Sequence, residues 1–334
     1  MPRHYVPHTA SATTRRTFLR KGLTLAAAAP MIIATHRVFA DENIRIEQPN
    51  IGTAGAVWRT LLDKGITSAR LPAQWVGGDP GQSQVQLLAG AIDVGFFGPI
   101  GAAETDLRGK DVVIFAPGLI NHGSWIVKGN SSIKTPYDLK GKRIATQPET
   151  TETYRQARLA AGLVGLDLRR DYQMIFGPPT ANLALFERGD VDAVITIEPI
   201  STRLIANGAK EIARVRDQWH QGTNDARPLF LGGQGCTRAW FDRNRAAAQT
   251  LSKLYVEANQ QIRARPQILG DLYKLLGAPS NDQKVIDLLI KRMPEIYATE
   301  WSPSVKGDAD RILNMAVKDG VLRSKPSSPI LEIL

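Results

Sequence analysis

The segment "RGDVDAVITIEP", residues 188–199, has a counterpart far upstream in "AGAIDVGFFGP", residues 89–99. In each, a glycine (Gly90, Gly189) closes an apolar helical pattern. A branched apolar residue and an aspartate follow, Ile92-Asp93 in one and Val191-Asp192 in the other. A short apolar run comes next, and a proline ends the unit (Pro99, Pro199). Each part has a physical reading. Glycine takes the left-handed conformation past a helix end without a Cβ penalty. The aspartate is expected to bond the backbone of the turn. A continuous apolar run reads as a parallel strand buried on both faces, and proline suits the first turn of the next helix. A helix-to-strand unit that occurs twice predicts two α/β lobes, each with its own sheet.

The flanking sequence agrees. From residue 44 strands alternate with helical segments: "IRIEQ" (44–48), a loop and helix through "GTAGAVWRTLLDKG", then "RLPAQWV" (70–76). "DPGQSQVQLLAG" reads as a helix, followed by "AIDVGFF" and "DVVIFAPGLI" (111–120) as strands. This alternation implies parallel βαβ units. The pattern restarts with "TPYDLKGKRIAT" (135–146), the helix "ETTETYRQARLAAGLVG", the strand "DYQMIFGPP", the helix "TANLALFERG" capped by Thr180, the strand "VDAVITI" and the helix "EPISTRLIANG". Extended segments at 122–130 and 227–241 join the halves. From about residue 242 the pattern is helical to the end.

The first 40 residues have six basic residues and no acidic ones, an apolar run over 23–34 and small residues at 38–40. This is the composition of an export signal with a cleavage site, and the apolar run is too short to span a bilayer. Arg15-Arg16 followed by Phe18-Leu19 resembles a twin-arginine signal, which addresses folded proteins for export. The whole chain has 42 Lys+Arg against 32 Asp+Glu. Without the leader the balance is 36 against 32, so the basic excess is largely a targeting feature and no nucleic-acid partner is expected. A lone Cys236 excludes an internal disulfide. Past the leader only His122 and His220 remain as histidines, too few with one cysteine for iron–sulfur, structural zinc or blue copper sites, and no cofactor is expected.

The segments "QLLAGAIDVGFFG" (86–98), "SSIKTPYDLKGKRIAT" (131–146), "FGPPTANLALFERGDVDAVITIEP" (176–199) and "ANGAKEIARV" (206–215) resemble the substrate-binding proteins of ABC importers. More narrowly, they are similar to the family that binds aliphatic sulfonates, taurine, nitrate and thiamine-pyrimidine precursors. The resemblance implies an α/β fold of two lobes, the type II venus-flytrap architecture, with two extended hinge crossovers and the helical C-terminal tail packed on lobe 1. It divides the chain into a leader (1–40), lobe 1 (41–121 plus 228–334) and lobe 2 (122–227). It implies a periplasmic receptor exported by the twin-arginine machinery, a small-molecule ligand, and an ABC permease and ATPase in the inner membrane as partners.

Ligands of open α/β sheets bind at the carboxyl ends of the strands, where helix N-termini present N–H groups to an anion. Gly52, Thr53 and Ala54 form one such loop, Gly98, Pro99 and Gly101 a second, and Thr150, Thr151 and Glu152 a third. The threonine hydroxyls offer donors, or serve as plain N-caps. Glu198 offers an acceptor to a ligand amine, or a first-turn carboxylate to its own helix. Trp125 is a candidate stacking surface and Gln234, on the return crossover, a candidate cleft contact. Glu149 and Glu152 sit awkwardly beside an anion, which favours a zwitterion or a neutral ring bearing N–H groups. An enzyme related to pyrimidine-precursor synthases, using Cys236 and the two histidines, and a sensor subunit are the competing functions.

Overall fold

The computed structural model describes residues 44–64, 67–68, 73–78, 82–279 and 282–334. The leader expected at 1–40 lies outside them. The chain enters with β1 (Ile44–Pro49), a 3-10 turn and α1 (Trp58–Asp63), then β2 (Ala73–Gly78), α2 (Ser83–Leu88), β3 (Gly95–Phe97), α3 (Pro99–Asp106) and β4 (Val112–Ile120). It crosses into β5 (Ser124–Val127), β6 (Arg143–Thr146), α4 (Glu152–Leu163), β7 (Gln173–Phe176), α5 (Pro179–Arg188), β8 (Ala193–Thr196), α6 (Ile200–Ala206), β9 (Lys210–Arg214) and α7 (Val215–Thr223). It returns through β10 (Phe230–Thr237) and α8 (Arg238–Arg243), and ends in α9 (Arg245–Ala264), α10 (Gln267–Asp271), α11 (Gln283–Arg292) and α12 (Pro303–Lys318).

The strands make two layers of one design. β1 pairs with β2 in parallel, β10 lies antiparallel between β3 and β4, and the Ile46–Val94 bridge joins β1 to β3. The first layer therefore runs β2-β1-β3-β10-β4. The second runs β7-β6-β8-β5-β9, again with three parallel strands and an antiparallel fourth. In each layer the antiparallel strand comes from across a crossover: β5 follows β4 through 121–123, and β10 follows α7 through 224–229. The result is two α/β lobes joined by two extended crossovers, as the sequence predicts.

The repeated unit explains the common design. Gly90 and Gly189 both have positive φ, +71° and +81°. The aspartates reach past the turn expected to hold them and bond the neighbouring strand. Asp93 accepts the backbone N–H of Arg45 at 2.9 Å, and Asp192 that of Arg143, also at 2.9 Å. The reverse bonds run from the Asp93 and Asp192 amides to the carbonyls of the same two arginines. Each aspartate thus clamps the start of its lobe's central parallel strand, β1 or β6.

One local expectation changes, and one strand is added. The first turn of α5 begins at Pro179, so Thr180 lies inside the helix and does not cap it. "KEIAR" (210–214) forms β9, although its charges mask the strand pattern. It is a partly exposed edge paired only with β5. In the tail, α9 packs on β4 and α12 on α3, within the first lobe. α11 instead contacts α6 of the second lobe, where Arg292 donates to the Thr202 hydroxyl and pairs with Glu198 just before that helix.

Candidate functional site

A cavity of about 110 Å³ lies between the carboxyl ends of the two layers. Glu47, Pro49 and Asn50 enter it from the end of β1, followed by Thr53–Gly55 and Trp58. Phe96 and Gly98 come from the end of β3, and Gln147 and Thr150–Thr153 from the segment joining β6 to α4. Leu119, His122 and Leu231 close it beside the crossovers.

The expected loops converge here, with changed roles. Thr53, Ala54, Gly98, Thr150 and Thr151 line the cavity. The Thr53 hydroxyl donates to the Asn50 carbonyl at 2.7 Å, and the Thr151 hydroxyl to the Pro148 carbonyl at 2.7 Å. Both hydroxyl protons are committed to their own turns; Thr151 also caps α4 by accepting the Tyr154 N–H, while Thr53 makes no side-chain cap bond. Gly52 is outside the lining; its φ is +85° and its N–H is bonded to the Leu275 carbonyl. Pro99 is buried at the first position of α3 and fixes that helix start without lining the cavity.

Three candidates stand elsewhere. Trp125 is fully buried in the second lobe, packed against Tyr172, with its ring N–H donated to Gln218 at 2.9 Å. Its strand position turns it into the core. Glu198 is ion-paired with Arg292 at 2.9 Å and accepts the Thr202 N–H, so it joins the lobes beside a separate crevice that His122 also lines. Gln234 is buried in the middle of β10, between Phe96 and Ala116, outside the cavity lining.

Glu152 makes the central contact. Its carboxylate accepts the N–H groups of Ile100 at 3.1 Å and Gly101 at 2.9 Å, at the start of α3 in the other lobe. A helix start with free N–H groups is a natural seat for negative charge, and here a protein carboxylate fills it. Gln156 donates to the same carboxylate at 3.0 Å and to the Phe230 carbonyl at 2.9 Å, and accepts from Asn121 at 2.9 Å. One turn of α4 therefore connects the cavity wall to both crossovers. Gly98 permits this closeness: a Cβ there would lie 2.0 Å from Glu152 Cγ and 2.6 Å from the Leu231 carbonyl oxygen.

The local electrostatics are acidic. Glu47 and Glu152 are both buried, and burial raises both carboxyl pKa values above the ordinary range. Among the described residues no Lys or Arg lines the cavity. Burial lowers the His122 pKa and favours the neutral ring. Its Nδ1 lies 2.9 Å from the Ile120 carbonyl, which only accepts, so Nδ1 carries the proton and Nε2 is an acceptor. Gln147, 2% exposed, leaves its amide nitrogen without a partner among the described residues. Sequence reasoning misses Glu47, His122 and Gln147. The available signal for Glu47 is its place at the carboxyl end of the first strand.

The family model described as "ABC transporter, phosphonate, periplasmic substrate-binding protein" matches residues 75–220. The chain is 27% identical over 275 residues to the "Putative aliphatic sulfonates-binding protein" of Escherichia coli (strain K12), covering 78% of this chain and 81% of that protein. Among solved structures it resembles the alkanesulfonate-binding protein SsuA from Xanthomonas axonopodis pv. citri bound to MOPS, with a TM-score of 0.68 and 21% identity over 87% of this chain and 98% of that one. The periplasmic aliphatic sulphonate binding protein SsuA from Escherichia coli matches with a TM-score of 0.63 and 23% identity, covering 86% and 96% of the two chains. These likenesses support a substrate-binding component of an ABC importer.

Proposed function

We propose that this chain is the periplasmic receptor of an ABC import system, capturing a small organic anion or zwitterion between its lobes and delivering it to a permease and its ATPase. The observation that carries this reading is the cavity itself, walled by strand ends of both sheets and bordered by both crossovers. Such a site forms or opens as the lobes rotate about the crossovers, so ligand capture and lobe closure are one event. Sulfonates are the first class to test, because that is what the similar proteins are named for. The Arg15-Arg16 leader is read as the signal for twin-arginine export.

Binding alone accounts for the architecture. Cys236, the nucleophile an enzyme on this fold would want, is fully buried in β10, and burial pushes its thiol pKa far up. Calorimetric titration of residues 41–334 with alkanesulfonates, taurine, nitrate and aminopyrimidines tests the proposal. Saturable binding of one class is expected. Absence of both heat and thermal shift across the panel overturns it, and turnover of a bound compound makes the chain an enzyme.

A further inference from the structure

We propose that Glu47 is the specificity-determining acceptor of the cavity, and that the ligand presents a donating nitrogen to it, as a protonated amine or a ring N–H. This rests on the receptor reading above and narrows it.

The Glu47 side chain is built into place. It sits at the carboxyl end of β1, where its backbone N–H is bonded to the Val94 carbonyl at 2.9 Å. Its carboxylate accepts the Phe96 N–H at 2.7 Å and the Ser83 hydroxyl. A carboxylate accepts about four hydrogen bonds, so these two donors orient the group and leave acceptor capacity on a residue that lines the cavity.

The surroundings disfavour a ligand that is only an anion. The start of α3, the seat an oxyanion would take, is filled by Glu152. The nearby Arg155 lines a different groove and pairs with Glu104 through Nη2, while its Nη1 lies beside Gly101, behind Glu152. A plain anion entering this space meets two carboxyl groups and, among the described lining residues, no basic side chain. A donating nitrogen instead finds Glu47, with the neutral His122 ring also in the lining. The Trp58 and Phe96 rings, stacked with centroids 6.3 Å apart, also border the cavity. Aromatic faces attract cations and flat N–H rings. An anionic group on the same molecule is left the first turn of α4 and the unpartnered Gln147 amide.

The test uses ligand pairs that differ by one amine: ethanesulfonate against 2-aminoethanesulfonate, and propanesulfonate against 3-aminopropanesulfonate. Calorimetry is run on the wild-type chain and on Glu47→Gln. A hydrogen bond from a charged donor predicts that the amine-bearing member of each pair binds about tenfold tighter or more to the wild type. Glu47→Gln then erases that ratio. Equal or tighter binding of the amine-free member to the wild type overturns the inference and leaves the receptor standing. An unchanged ratio in Glu47→Gln, with only the melting temperature lowered, makes Glu47 a prop for Phe96 and also overturns it. No binding by any member, nor by an aminopyrimidine, removes the receptor reading and the inference together.

Discussion

Glu152 Oε2 lies 2.9 Å from the Gly101 nitrogen, so a carboxylate of one lobe caps a helix of the other. The ligand space and the inter-lobe contact share this residue, and variants at the seam read out both.

Gly98→Ala places a methyl group where Glu152 Cγ and the Leu231 carbonyl already stand. Overpacking of this kind costs about 1–3 kcal/mol. The carbonyl is backbone and cannot swing aside. The expected result is a lower melting temperature together with weaker ligand binding, because the lobes no longer meet at this distance. Gly109→Ala, at a glycine of positive φ with open space around it, is the control. It lowers stability without touching affinity.

Glu47 has a folded-state pKa raised above its ordinary value. The folded chain therefore holds a proton through a pH window in which the unfolded chain has released it. Stability from this group falls as pH rises through that window. Glu47→Gln removes the dependence. The variant is expected to gain on the wild type as pH rises from the ordinary glutamate range through the raised folded-state value, and the gap closes again in acid. Paired urea melts across that range check it, and a gap that widens in acid refutes the sign.

Arg292 holds Glu198 at 2.9 Å and Glu211 at 2.8 Å, and the Glu198 side chain is almost wholly buried. Removing the cation leaves that carboxylate buried and alone, which costs about 3–5 kcal/mol. Arg292→Met is expected to fall in that range by chemical denaturation. Glu198→Gln combined with Arg292→Met recovers much of the loss, because the lone charge is then gone.

Asp93 and Asp192 make the same bond in the two lobes. Replacing Asp192 with Ala removes the acceptor of the exposed Arg143 N–H, which water can take over, and costs about 0.5–1.5 kcal/mol. Asp93→Ala loses the Arg45 ion pair as well, but that arginine is partly exposed, so the additional loss is small. Similar destabilisation in the two single variants, within about 1 kcal/mol by denaturant titration, is the expected outcome.

The two-lobe design is legible because its signals are local. A glycine that must turn left-handed and an apolar run that must be buried announce themselves within a few residues. The cavity loops are legible for the same reason, as they follow strand ends. Partners from distant sequence are not. Glu198 is an exposed-looking acid until Arg292 arrives 94 residues later, and Glu152 conflicts with an anion site until the start of α3 is seen to need it. Trp125 shows the limit of strand pattern, since both faces of β5 are buried and alternation cannot say which meets the cavity. Charge hides β9, because an edge strand with one partner tolerates Lys210, Glu211 and Arg214.

The exchange of strands between layers orders the assembly of the chain. β5 to β9 are contiguous, so the second layer has all its members once residue 214 has been made. The first layer does not: β3 and β4 have no common neighbour until β10, residues 230–237, takes the place between them. The inserted half can mature while the outer half still has two open edges, and such edges invite mispairing. A nascent chain released before that keystone strand emerges is an unfinished sheet wrapped around a finished one.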